Sequence, residues 1–140
     1  MSKVLTKMEI LSAQDLKQET VPVPEWSPDG VVIVREATAL ERDAYEESLL
    51  RPTLNKRGER AELKTDFRNS KARLVVKCII DERGDRIFQD EDAEALGRKS
   101  AAVIDRIFQV VRRLSGMTLE SKQEIEGNSD GAQNESSPSS

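Results

Sequence analysis

At 140 residues the chain has the length of one domain, with 36% apolar and 34% charged side chains and a net charge of −4. It has no histidine and a single cysteine, Cys78. That excludes an intrachain disulfide, a Cys–His nucleophile pair and a four-ligand zinc site. No apolar run approaches the ~18 residues of a membrane span, and Met1 to Leu11 lacks the apolar core of a secretory signal, so the expectation is a soluble protein of a reducing cytosol.

Thr6-Lys7-Met8-Glu9 is a capping-box pattern and predicts a short helix from Lys7 to about Ala13, with Leu5 and Ile10 at the staple positions. Glu19 to Glu25 reads as an extended segment. Pro22 and Pro24 cannot donate to a ladder, so it belongs at a sheet edge. Ser27-Pro28-Asp29-Gly30 is a turn, and the β-branched run Val31 to Val34 a strand; together they predict a hairpin that needs a helix layer. A second capping box, Thr38-Ala39-Leu40-Glu41, opens a helix that runs to about Leu50 and is stopped by Pro52. Arg51 to Leu63 is expected to be a polar loop around Lys56-Arg57-Gly58.

The 3.6-residue spacing of Phe67, Leu74, Val75, Cys78 and Ile79 predicts a helix over 66–80. Asp66, Asn69, Ser70, Arg73 and Lys77 lie on its solvated side, and the stem of Lys71 packs in the apolar arc with its ammonium snorkelling out. Asp81 to Asp85 is a turn and Arg86 to Phe88 a short extended piece. Asp90 is placed as the cap of a helix from Glu91 to Leu96, with Gly97 at C′. Ser100 opens the best-defined helix, ending near Ser115, with Ile104, Ile107, Phe108, Val111 and Leu114 inward and Gly116 ending it. Ser121 and Glu124 suggest one more short helix with Leu119 and Ile125 inward. Gly127 to Ser140 has no residue able to anchor a core and reads as a disordered polar tail. The fold class is therefore α+β: a small N-terminal β-hairpin packed against a bundle of short helices, followed by that tail.

Candidate chemistry is sparse, and no catalytic, cofactor-binding or metal-binding residue is assigned. Cys78 on an apolar helix face reads as a core thiol. Asp90, Glu91 and Asp92 lack calcium-loop spacing, and carboxylates at a helix start are accounted for by the dipole. No glycine-rich phosphate cradle is present. Residues 51–77 hold nine basic and three acidic side chains, but without aromatics free for stacking they read as a solvated face or a surface for an acidic protein, which argues against nucleic acid. Trp26 either anchors an interface or covers the end of a small core.

One ordered set of segments resembles the tail assembly chaperones of long-tailed bacteriophages, in a phage or prophage. It runs from Glu9-Ile10-Leu11 through Val21-Pro22-Val23-Pro24-Glu25-Trp26 and Val32-Ile33-Val34-Arg35-Glu36 to Glu41-Arg42-Asp43-Ala44-Tyr45-Glu46. It continues with Ala72-Arg73-Leu74-Val75-Val76-Lys77-Cys78 and Asp81-Glu82-Arg83-Gly84. Its strongest stretch runs from Ile87-Phe88 through Asp92-Ala93-Glu94-Ala95-Leu96-Gly97 and Lys99-Ser100-Ala101-Ala102 to Arg113-Leu114-Ser115-Gly116. Ala37-Thr38-Ala39 departs from the family's more usual Leu-Thr-Gly.

The resemblance implies a chaperone-like domain over 1–126 and the tail over 127–140. It implies a non-enzymatic protein that binds the tape measure protein, keeps it soluble and helps recruit tail tube subunits, in part through a frameshifted longer product. Self-association is compatible with this role. Such a protein works in the host cytoplasm and is absent from the mature virion. The exposed face with Arg106, Arg112 and Arg113 would steer an acidic protein partner. The rival readings are a virion adaptor at the head–tail connection or tail tube, and a small nucleic-acid-binding regulator.

Overall fold

The computed structural model describes residues 1–117. The expected short helix around Ser121 and the tail lie outside them. Thr6 caps α1 (Lys7–Ser12) through a reciprocal box: the Glu9 amide donates to Thr6 Oγ1 at 3.2 Å and the Thr6 amide to Glu9 Oε1 at 2.9 Å. β1 (Gln18–Pro22) and β2 (Val31–Arg35) form the expected hairpin, with Thr20 opposite Ile33. Thr38 and Glu41 repeat the box at the start of α2 (Ala39–Ser48).

The segment expected to be a polar loop is instead a second hairpin, β3 (Leu50–Leu54) with β4 (Arg60–Thr65). Pro52 does end the helical run, but a two-stranded ribbon tolerates it within a strand. The expected 66–80 helix is shorter at both ends. Asn69, at φ 51°, takes the left-handed conformation and α3 starts at Ser70 (Ser70–Cys78), which leaves Phe67 outside the helix and 63% exposed. At the other end the β-branched pair Ile79–Ile80 forms β5, antiparallel to β2. The N-terminal sheet thus has three strands in the order β1–β2–β5, with β1 at the edge its prolines require.

Asp90 is not the helix cap. Gln89 holds that position before a 3-10 turn (Asp90–Asp92) that leads into α4 (Ala93–Leu96). The carboxylate of Asp90 turns instead to Lys77, 3.2 Å away, and Arg86, 2.9 Å away. Lys77, placed by periodicity on the solvated side, is buried by this pairing. Gly97 has φ −66°, so its place is not owed to a left-handed cap. Ser100 caps α5 (Ala101–Leu114) as expected, and Gly116, at φ 72°, ends it.

α5 packs against α3 and against β1 and β2. Apart from Cys78, the large fully buried side chains are aliphatic: Val34 from the sheet, Leu74, Val75 and Val76 from α3, Ile79 from β5, and Val103, Ile107 and Val111 from α5. Burying each contributes about 1.5–3 kcal/mol against the entropy of ordering the chain. The domain is α+β, as its residue patterns predict, with one more strand and one more hairpin than expected.

Candidate protein-interaction surfaces

α1 has no buried residue. Its six residues are fewer than the ~12–15 an isolated helix needs for stability. Val4, Leu5, Met8, Ile10 and Leu11 around it are each more than half exposed. Capping and the Lys3–Glu9 ion pair at 2.7 Å hold the turn locally, and Glu9's carboxyl is lowered by Lys3 and by the Thr6 cap. The apolar side chains find no cover in the described part of the chain.

The β3–β4 hairpin is the second such element. Its register places Leu50 opposite Thr65, Pro52 opposite Leu63 and Leu54 opposite Arg60, past a bulge. Opposed residues share a face. One face of the arm therefore carries Leu50, Pro52, Leu54 and Leu63, and the leucines are 47–66% exposed. The other face carries Arg51 opposite Lys64 and Thr53 opposite Glu62. At the tip, Asn55 accepts from the Arg57 and Glu59 amides, each at 2.9 Å, and Gly58 takes φ 82°. At the root, Arg73 of α3 reaches both strand ends, donating to the Ser48 carbonyl and the Asp66 carbonyl at 2.6 Å each. Asp66 is drawn down to about 2 by the Arg68 guanidinium beside it. Sequence reasoning recorded the basic character of this segment and missed its apolar face. The alternation Leu50-Pro52-Leu54, a turn signal at Asn55–Gly58 and Leu63 would have revealed it.

Trp26, 36% exposed, lines a shallow depression with Ile87, Phe88, Ala95 and Leu96, with Lys99 at the rim. The three arginines expected on the outer face of α5 are partly engaged within the chain. Arg106 pairs with Glu25 in β1's outgoing turn and donates to the Pro22 carbonyl at 3.1 Å, which pulls the Glu25 carboxyl down to about 2. Arg113 pairs with Glu19 at 2.8 Å. Arg112 donates to the Met117 carbonyl at 3.0 Å and stacks over Phe108 at 5.7 Å. They tie α5 to the edge strand and to its own exit. Lys71 behaves as expected, its ammonium reaching Asp105 at 2.7 Å across the ring of Phe108.

The remaining chemical candidates are structural. Burial pushes the Cys78 thiol up to about 12, so it is not a thiolate at neutral pH. In the acidic run 90–94, Asp90 pairs with Lys77 and Arg86 and Asp92 accepts from the Gln89 amide, and no group of three potential metal ligands exists among the described residues. No helix among them is long and apolar enough to cross a membrane.

The sequence profile of a family described as phage tail assembly chaperone matches residues 6–128. Among solved structures the fold is similar to that of the bacteriophage HK97 tail assembly chaperone, with a TM-score of 0.52 and 17% identity, over 76% of this chain and 90% of that one. No curated protein sequence matches.

Proposed function

The chain belongs to the phage tail assembly chaperone family, and from that premise we propose that it binds the tape measure protein and keeps it soluble without any catalysis of its own. It helps recruit tail tube subunits, in part through a frameshifted longer product. It acts in the host cytoplasm and leaves before the virion is complete. The observation that supports this reading is that α1 and the β3–β4 arm present leucines, Met8 and Ile10 to solvent with no cover among the described residues. A holdase needs such apolar strips, and it needs them small enough to let go. Arg106, Arg112 and Arg113 are proposed to steer an acidic partner toward this surface. Arg106 and Arg113 would do so by exchanging Glu25 and Glu19 for it.

Co-expression with the tape measure protein of the same phage or prophage tests the reading. The expected result is a rise in soluble tape measure protein and a complex that co-purifies; unchanged solubility with no complex overturns it. Mass spectrometry of purified particles tests the departure, since stoichiometric amounts of this chain there would contradict it.

A further inference from the structure

The chain is acidic overall, yet residues 50–68 hold six basic side chains against three acidic ones. Among the described residues Arg51, Lys56, Arg57, Arg60 and Lys64 make no ion pair, which concentrates five unmatched cations on one short arm. Arg51 and Lys64 also face each other directly across the ladder. Like charges so placed destabilise a two-stranded ribbon. The same ribbon leaves Leu50, Leu54 and Leu63 uncovered on its opposite face. Neither feature helps the arm to fold, and because Arg60 stands opposite Leu54 on the leucine face, one occupant can meet apolar and cationic groups together.

We propose that the β3–β4 arm is a clamp for an acidic amphipathic helical segment of another polypeptide. The proposal rests on the reading that this chain works by covering other proteins' apolar surface. The leucine face receives the apolar stripe of that segment, and Arg60, which shares this face opposite Leu54, together with the tip cations Lys56 and Arg57, receives its carboxylates. The strip from Leu50 to Leu54 extends roughly 13 Å, which matches about nine residues of helix, so the bound segment is two to three turns long. Such a contact is small and depends on salt, which suits a partner that has to be released. Nucleic acid would satisfy the charge and leave the leucines bare, and the arm holds no aromatic side chain for stacking.

The test uses the full chain and three probes: a helical peptide of about 20 residues built from leucine, glutamate and glutamine, its lysine counterpart, and a single-stranded oligonucleotide. Fluorescence anisotropy should show the acidic peptide binding roughly ten-fold or more tighter than the basic one. Arg57→Glu with Arg60→Glu should erase that preference, and Leu54→Ser with Leu63→Ser should weaken binding by a similar factor. Glu82→Gln in the exposed 81–85 turn should leave it unchanged. All four arm positions are exposed, so circular dichroism should report an intact fold in each variant. Equal binding of the two peptides, or affinity indifferent to the arm substitutions, overturns the proposal. So does tighter binding of the oligonucleotide than of the acidic peptide. A concentration-dependent rise in mass that requires Leu54 and Leu63 without any peptide would assign the face to a second copy and equally overturn it. Peptide binding at the arm alongside failed co-purification with the tape measure protein would remove the proposed partner and leave the clamp standing.

Discussion

A β-carbon on Gly97 would overlap the side chain of Asn69. That side chain has no freedom to retreat at low cost. Its amide donates to the Ala93 carbonyl at 2.8 Å, and its backbone takes the left-handed turn that starts α3. Gly97→Ala is therefore expected to destabilise the fold by about 1–3 kcal/mol in urea unfolding. In an Asn69→Gly background, where nothing remains to be struck, the same change should be close to neutral. A penalty that persisted there would place the cause elsewhere. Glu41 shows the second kind of residue-level constraint, since it closes the α2 capping box and holds Arg35 by two bonds at 2.8 and 3.0 Å. Burial opposes its ionisation, yet Arg35 and the Thr38 amide hold its carboxyl below the usual range. Glu41→Ala removes a cap and strands a largely buried guanidinium, for an expected loss of about 2–3 kcal/mol by denaturant titration.

Elements differed in how far residues alone revealed them. The two capping boxes, the β1–β2 hairpin and α5 were legible because their signals are local: a hydroxyl three residues before a carboxylate, a β-branched run, an apolar stripe at 3.6-residue spacing. The arm was not, because both its faces meet solvent and its composition resembles a loop. The early start predicted for α3 failed because Asn69 breaks the helical path at a point that periodicity cannot see. The burial of Lys77 needed Asp90, thirteen residues away. Of the candidate surface, the arginines of α5 were expected as an exposed face, yet only Arg113 is exposed while Arg106 and Arg112 are half-buried, and their partners came only with the fold. Arg73 controls the arm's attachment, since its guanidinium joins the carbonyls of Ser48 and Asp66 at the two strand ends. Arg73→Ala should loosen the arm before the body. Limited trypsin digestion should cut several-fold faster at Lys56, Arg57, Arg60 or Lys64, with little change at sites in α3 and α5. Uniform acceleration at all sites would show instead that Arg73 supports the whole fold.

Across the whole molecule, the ion pairs that join separate elements predict how stability responds to acid. Glu25 falls from its ordinary value of 4.5 to about 2 because Arg106 holds it, and Asp90 and Asp105 are lowered by Arg86 with Lys77 and by Lys71. In each case the folded form releases its proton more readily than the unfolded chain does. Stability from these groups is thus complete above the unfolded carboxylate range and is lost as pH falls through it toward the folded values. The sequence has no histidine, the side chain that ordinarily titrates between about pH 5.5 and 7, and the Cys78 thiol is pushed up to about 12, away from that interval. The urea midpoint should therefore be flat over that interval and should drop steadily from about pH 4.5 to pH 2. Glu25→Gln should lower the plateau slightly and make the acid drop shallower, because one of the groups responsible for it is gone. A midpoint that already moved between pH 5.5 and 7, or an acid limb unchanged by Glu25→Gln, would show that the contact between α5 and the segment leaving β1 does not depend on the Arg106 pair.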